Sequence, residues 1–218
     1  MVQSEIIKIV NNYVESRMKA DCTGHDFYHI QRVLKNALLI DQEENKNEFV
    51  IIMIALLHDL YDHKFADVNI REALEKDLKK LQVYDFIQKD DLENILYSVE
   101  NLGFSANIKE KKNLSEEGKI VQDADRLDCI GAIGIARTFA YGGYKNISIH
   151  IPEMEAKELN QEEYKKNGSK TSIMHFYDKL LKIYDLLNTK GARKIGEKRK
   201  KFLEVFLQEF LEEWDGKK

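Results

Sequence analysis

Residues 48–60 read EFVIIMIALLHDL, and this stretch decides the fold. Apolar residues run without a break from Phe49 to Leu57, and His58 and Asp59 follow directly. The run is far shorter than the roughly 20 residues that span a bilayer. A segment apolar on nearly all sides, in a chain without a membrane span, predicts a helix buried at the centre of a domain. The His58-Asp59 pair then sits at its deep end. A carboxylate buried alone there would lose its hydration, so Asp59 needs an ionic partner or a metal.

The flanking sequence is helical on both sides. Ile6, Ile7, Val10, Tyr13, Val14 and Met18 repeat at i, i+3, i+4 spacing and predict a helix over 4–20. A second helix is expected after Gly24, with Ile30, Val33, Leu34, Ala37 and Leu38 inward, ending at the charged break QEENKNE. Downstream, amphipathic helices are expected at 69–82 and 90–102, and one Gly- and Ala-rich helix over 119–140. The polar stretch 141–169 reads as a lid or a mobile loop. Two long helices, 170–188 and 191–214, close the chain. Pro152 is the only proline, and no repeat or linker interrupts the sequence. The expectation is an all-α, single-domain bundle over 1–218, with its core at about 20–140 and the C-terminal helices at about 170–214 packed on it.

Composition removes several classes of function. In 218 residues, 43% hydrophobic and 33% charged, a disordered state is excluded. The net charge of −4 gives no general attraction to nucleic acid or to an anionic membrane, so neither is expected as a partner. The N-terminus, MVQSEIIKIVNNYVESRMKA, lacks the basic start and apolar centre of a signal peptide, and a cytoplasmic location is expected. Cys22 and Cys129 are too few for a disulfide framework or a cysteine-based zinc site, and read as reduced thiols, Cys129 as a small buried one.

The chemistry resides in a few polar residues on these helices. His29 lies on the second helix, and Asp123, Asp125 and Asp128 lie in the Gly- and Ala-rich segment. Two imidazoles and two carboxylates from three helices can surround one divalent ion in a bundle. Mixed nitrogen and oxygen donors suit manganese, iron, cobalt, nickel or zinc better than calcium. For the aspartates of DADRLD, the competing reading is a solvated helix face or pairing with Arg126. The spacing in HDFYH matches the two-histidine helix of metalloproteases, but Asp26 stands where their glutamate would be.

The ordered set His29, His58-Asp59 and Asp125 resembles the H…HD…D signature of the HD-domain metal-dependent phosphohydrolases, an all-helical superfamily. The strings GHDFYHIQRV, LLHDLYDHKF, EEGKIVQDADRLDCIGAIGIARTFAYGG and HFYDKLLKIYDLLNT are similar to its bacterial stand-alone branch, members of which act on nucleoside triphosphates. The resemblance runs from about residue 20 to the C-terminus. It implies that His29, His58, Asp59 and Asp125 bind the ion, with Asp123 and Asp128 supporting them. It also implies that Asp62, or alternatively Asp67, positions or deprotonates the attacking water. On a continuing helix Asp59 and Asp62 would share a face. No histidine lies between His63 and His150, which argues against a two-metal cyclic-dinucleotide phosphodiesterase. One ion is therefore expected, manganese first, with magnesium, iron, cobalt, nickel or zinc as alternatives.

Charge developing on phosphoryl oxygens calls for cationic donors, and the candidates are Arg32, Lys64, Arg126, Arg137, His175 and Lys179. Lys64 and Lys179 lead because each lies within a family-like string. The resulting expectation is a (deoxy)nucleoside triphosphate pyrophosphohydrolase acting on a small nucleotide. The alternatives are a 5′-nucleotidase and a non-catalytic nucleotide-binding or sensor module. A homodimer is also considered. The final helix carries Lys190, Arg193, Lys194, Lys198, Arg199, Lys200 and Lys201 early and Glu204, Glu209, Glu212, Glu213 and Asp215 late, opposite to what the helix dipole favours. The basic half is expected to face a polyphosphate, an acidic partner, or simply solvent with pairs such as Glu197–Lys201.

Overall fold

The structure is a computed structural model that describes residues 1–18, 26–61, 69–103, 112–152, 154 and 169–218. Its helices are α1 (Gln3–Arg17), α2 (Phe27–Glu44), α3 (Glu48–Leu57), α4 (Ile70–Lys80), α5 (Lys89–Asn101), α6 (Glu116–Asp128), α7 (Gly131–Tyr144), α8 (Ser172–Asp178) and α9 (Lys190–Trp214). Short 3-10 turns occupy Tyr84–Phe86 and Leu180–Leu186. Among the described residues the one departure from helix and loop is an isolated bridge between Ser148 and Thr171. The fold is all-α. No described helix is long and apolar enough to cross a membrane.

The chain divides into two compact units. The first contains α1 to α5, α6 as far as Asp125, and the segment Asn188–Gly191; the second contains Arg126–Leu187 and Ala192–Lys218.

In the first unit α3 is the centre, as its sequence requires. Asn47 caps it by accepting from the Val50 N–H. Phe49, Val50, Ile51, Met53, Ile54, Ala55, Leu56 and Leu57 are all buried. Each of the larger side chains contributes about 1.5–3 kcal/mol on burial. Helix α3 packs against α1, α2 and α5, which present the apolar stripes read from the sequence. The segment Asn188–Gly191 is fastened to this unit by the Gly191 N–H, which donates to Glu44 at 3.0 Å. A Cβ at Gly191 would meet the Ile40 carbonyl at 2.9 Å, so the close approach requires glycine.

In the second unit an aromatic core forms between α7, α8 and α9. Phe176 stacks on Phe206 at 5.6 Å, and Phe139 contacts both rings. Three of the basic residues of α9 are used within this unit. Arg193 donates to the Leu187 carbonyl and Arg199 to the Leu127 carbonyl, each at 2.6 Å, and Lys200 lies over the Tyr184 ring.

Three boundaries differ from expectation. Helix α3 ends at Leu57, not at 60; His58 is its C-cap and Asp59 lies in the turn beyond, closed by Leu60 N–H to Leu57 O at 3.2 Å. The expected continuous helix over 119–140 is two helices. Ile130 is extended and Gly131 takes φ +75°, in the left-handed region, so the backbone turns there before α7 starts. The expected helix over 170–188 is α8 followed by a 3-10 turn, broken at Lys179 (φ −134°, ψ −58°). Apolar spacing of three or four suits both helix types, which is why the pattern did not separate them. In the stretch 141–169, α7 continues to Tyr144; residues 153 and 155–168, on which the choice between lid and loop rests, lie outside the described residues. So does Cys22, while Cys129 is half-buried at the α6–α7 break.

Candidate metal centre

Three helices of the first unit bring ligand-type side chains together. Asp26 caps α2, its carboxylate accepting from the His29 N–H at 3.0 Å, and this fixes His29 in the first helical turn. The aspartate that departs from the metalloprotease pattern is thus a helix cap. His29 is buried, with 1% exposure. His58 terminates α3, and Asp125 lies in the last turn of α6.

His29 Nε2 lies 3.3 Å from His58 Nε2 and 3.4 Å from Asp125 Oδ1. One ligand atom from each of the three residues lies within 4.8 Å of the other two. The tautomer of His58 follows from its surroundings. Its Nδ1 is 2.8 Å from the Ala55 carbonyl, which can only accept, so Nδ1 carries the proton and Nε2 presents a lone pair. A bare nitrogen 3.3 Å from another imidazole nitrogen needs a proton or a cation between them. Donors bound about 2.0–2.2 Å from one ion lie roughly 2.8–3.6 Å apart at octahedral to tetrahedral angles. Both separations, 3.3 and 3.4 Å, fall in that span. Two imidazoles and a carboxylate also supply the mixed donor set of transition-metal sites. The residues present fit a divalent metal ion.

Neighbouring residues hold the ligands in place. Asn36, two turns along α2 from His29, donates to the Ala124 carbonyl at 3.4 Å, fastening α2 to α6 beside Asp125. The turn after His58 is anchored by Tyr61, whose hydroxyl donates to the buried Asp77 of α4. Burial first, and then this carboxylate, push the Tyr61 hydroxyl pKa well above its ordinary value, and the same two causes raise Tyr13. Arg17 lies over both rings at 5.7 and 5.9 Å. The sequence reading missed this group. Its signal was an aspartate among Ile70, Leu74 and Leu78 on the buried face of α4.

The remaining candidates separate clearly. Asp59 is half-buried in the turn, but its carboxylate does not join the mutual 4.8 Å group of His29, His58 and Asp125. Arg32 is half-buried on α2. Asp62, Lys64 and Asp67 lie outside the described residues. With α3 ending at Leu57, the helical continuation expected to align Asp59 with Asp62 is absent through Tyr61.

Asp123, expected to support the ligands, does something else. It is fully buried and accepts from Asn188 N and Nδ2 and from Thr189 N and Oγ1, at 2.8–3.0 Å. Its position two residues from Asp125 places it about 200° around the helix, on the far side. Asp128 pairs with Arg137 at 2.8 Å in the second unit, with the carboxylate buried. Arg137, a candidate phosphate ligand, therefore ties α6 to α7. Arg126 donates to the Leu186 carbonyl at 2.6 Å.

His175 and Lys179 belong to the second unit as well. His175 Nδ1 is 3.2 Å from Ser169 Oγ, which donates to Asp178 at 2.8 Å, so Nδ1 is the donor in this chain of contacts. Burial, assisted by the charge of Lys179, pushes the His175 pKa down to about 4. At neutral pH His175 is uncharged and supplies no cation, contrary to the expectation from sequence. Lys179 caps α8, its N–H donating to the His175 carbonyl.

Comparison with known proteins agrees with the geometry. Residues 26–130, which include all three clustered ligands, match the HD domain family. An uncharacterised protein of Bacillus subtilis (strain 168), YpgQ, is 32% identical over 208 residues, covering 95% of this chain and 93% of its own. The crystal structure of an HD-superfamily hydrolase from Bacillus thuringiensis is similar at a TM-score of 0.76 and 35% identity, over 98% of this chain and 99% of that one. The crystal structure of Bacillus subtilis YpgQ in complex with ADP is similar at a TM-score of 0.72 and 32% identity, over 98% and 96% of the two chains. With these similarities over nearly its whole length, and with the histidines and Asp125 of the H…HD…D pattern gathered at one point, the chain belongs to the HD-domain superfamily.

Proposed function

We propose that the protein is a metal-dependent phosphohydrolase that cleaves (deoxy)nucleoside triphosphates to the monophosphate and pyrophosphate. The observation that carries the reading is the convergence of His29 Nε2, His58 Nε2 and Asp125 Oδ1, with the His58 tautomer fixed by Ala55. ADP in the related YpgQ structure supports a nucleotide as the ligand class. Asp59, next to His58 in the turn, is the proposed fourth ligand of a single ion, manganese in the first instance.

His29, His58, Asp59 and Asp125 would hold the ion, which would supply Lewis acidity to acidify water and polarise a phosphoryl oxygen. Asp62 then serves to orient the attacking water and take its proton, with Asp67 as the alternative. A new P–O bond forms at the α-phosphorus, the bond to the bridging oxygen breaks, and pyrophosphate leaves. Arg32, Lys64 and Lys179 are the proposed phosphate donors, on the resemblance of the strings that carry them. Arg137 and His175 are left out, because one is committed to Asp128 and the other is neutral. The reading places the enzyme in the cytoplasm and treats 1–218 as one HD-type domain.

Product analysis tests the proposal. Metal-stripped protein reloaded with manganese is incubated with ribo- and deoxyribonucleoside tri- and monophosphates, with Asp125→Ala as control. Pyrophosphate from triphosphates, lost in the variant, is the expected result. Phosphate released from monophosphates would replace the reading with a nucleotidase, and bound nucleotide without turnover would replace it with a sensor module.

A further inference from the structure

Helix α9 buries one face and leaves the other uncovered. Ala192, Gly196, Leu203 and Leu207 are buried on the inner side. On the opposite side Lys194, Lys198, Phe202, Val205, Glu209 and Glu213 are all exposed, with Phe202 at 50% and Val205 at 55%. Two large apolar side chains thus stand in water at the midpoint of a helix that runs from Lys190 to Trp214. Their flanks are of opposite charge, basic before and acidic after.

The spacing of these six positions is 4, 4, 3, 4, 4, which reads the same in both directions. The central 4-3-4 steps are those of a coiled-coil seam. The order Lys, Lys, Phe, Val, Glu, Glu becomes, when reversed, Glu, Glu, Val, Phe, Lys, Lys. A second copy of the same helix laid antiparallel, with the two-fold axis between Leu203 and Glu204, therefore puts Phe202 against Val205, Lys198 against Glu209 and Lys194 against Glu213, each pairing occurring twice. The expected internal pair Glu197–Lys201 is not formed, and Lys198 and Glu213 have no ionic partner among the described residues. Among the described residues Glu209 is engaged only by Lys218, which is exposed.

We propose that the outer face of α9 is a homodimer interface in which two copies of the helix pair antiparallel about Phe202 and Val205. This accounts for a charge order that opposes the helix's own dipole, because the basic start of each helix meets the acidic end of the other. Antiparallel pairing also opposes the two helix dipoles favourably.

Sedimentation equilibrium of the full chain over a concentration series tests the interface. A reversible dimer is expected for the wild type, with Phe202→Asp shifting it to monomer. Lys198→Glu and Glu209→Lys each turn two attractive contacts into two repulsive ones, and each should weaken the dimer about tenfold. An equimolar mixture of these two variants should restore association, since each then meets its complement. Circular dichroism controls for folding, which these exposed positions should leave intact. A monomeric wild type, a dimer indifferent to all three substitutions, or a mixture no tighter than the separate variants would overturn the proposal.

Discussion

Removing the Asp123 carboxylate by Asp123→Ala should destabilise the protein while leaving the metal site in place. Asp123 is fully buried and accepts from two backbone N–H groups, the Thr189 hydroxyl and the Asn188 amide. Asn188 is exposed and water can replace its lost contacts, but Thr189 is buried, so its N–H and hydroxyl lose this acceptor away from water. A buried donor that loses its acceptor costs about 1–3 kcal/mol, so the two together give about 2–6 kcal/mol. Against a typical domain stability of about 5–15 kcal/mol this is a severe loss. Urea unfolding should show the transition at lower concentration with an unchanged slope. Asp123→Asn should fall between the two, since the carboxamide keeps one acceptor but turns an N–H2 toward donors. Manganese affinity of the folded variant should equal that of wild type, because Asp123 and Asp125 lie on opposite sides of α6. A loss below about 1 kcal/mol, or abolished metal binding at near-normal stability, would refute the reasoning and return Asp123 to the metal site.

The pKa of His175, pushed down to about 4, makes acid stability testable. The unfolded chain, with a histidine pKa near 6.5, binds the proton that the folded chain refuses between those values. The contribution is present above about pH 6.5 and is lost as pH falls toward 4, by up to about 3 kcal/mol; urea unfolding of metal-free wild type and His175→Gln at pH 7 and 5 should show a smaller loss in the variant. Arg137→Leu removes the 2.8 Å cationic partner of the buried Asp128 carboxylate and should cost about 1–3 kcal/mol, with a smaller cost when Asp128→Leu is added. Weakened nucleotide binding at full stability would instead assign Arg137 to the substrate. Gly131→Ala forces a side chain into the left-handed region, worth about 1–2 kcal/mol, and adds crowding against Arg199 carbons at 3.1–3.4 Å. Thermal unfolding of this variant should therefore fall by several degrees, and an unchanged transition would contradict the assigned turn.

The core was legible because apolar spacing is an image of burial: nearly all of the α3 run, with Ile6, Val10 and Val14 of α1, Ile30, Val33 and Ala37 of α2 and Leu92, Ile95, Leu96 and Val99 of α5, is buried, while Ile7, Tyr13, Met18, Leu34 and Leu38 at the edges of the stripes are half-buried. Asp125 was legible through its order after His29 and His58, not through local pattern, since Asp123 and Asp128 look equivalent to it in sequence. What separates the three is rotation about α6. Asp123 turns toward Asn188 and Thr189, and Asp128 meets Arg137 just before the break at Gly131. Those partners are distant in sequence or lie across a backbone turn that only a positive φ reveals. The same holds for Asp77, which takes its proton donor Tyr61 from 16 residues away. The exposed seam on α9 was visible as an unexplained charge order, but exposure of Phe202 and Val205 had to come from the folded chain.

The central claim is that His29, His58 and Asp125 hold one divalent ion. Titration of metal-stripped protein with manganese, following free Mn(II) by electron paramagnetic resonance, tests it most directly. One ion bound per chain in the wild type, and none at the same concentrations in His58→Ala or Asp125→Ala with helical content retained, is the predicted result. Wild-type stoichiometry and affinity in both folded variants, or no binding by the wild type, would contradict the account.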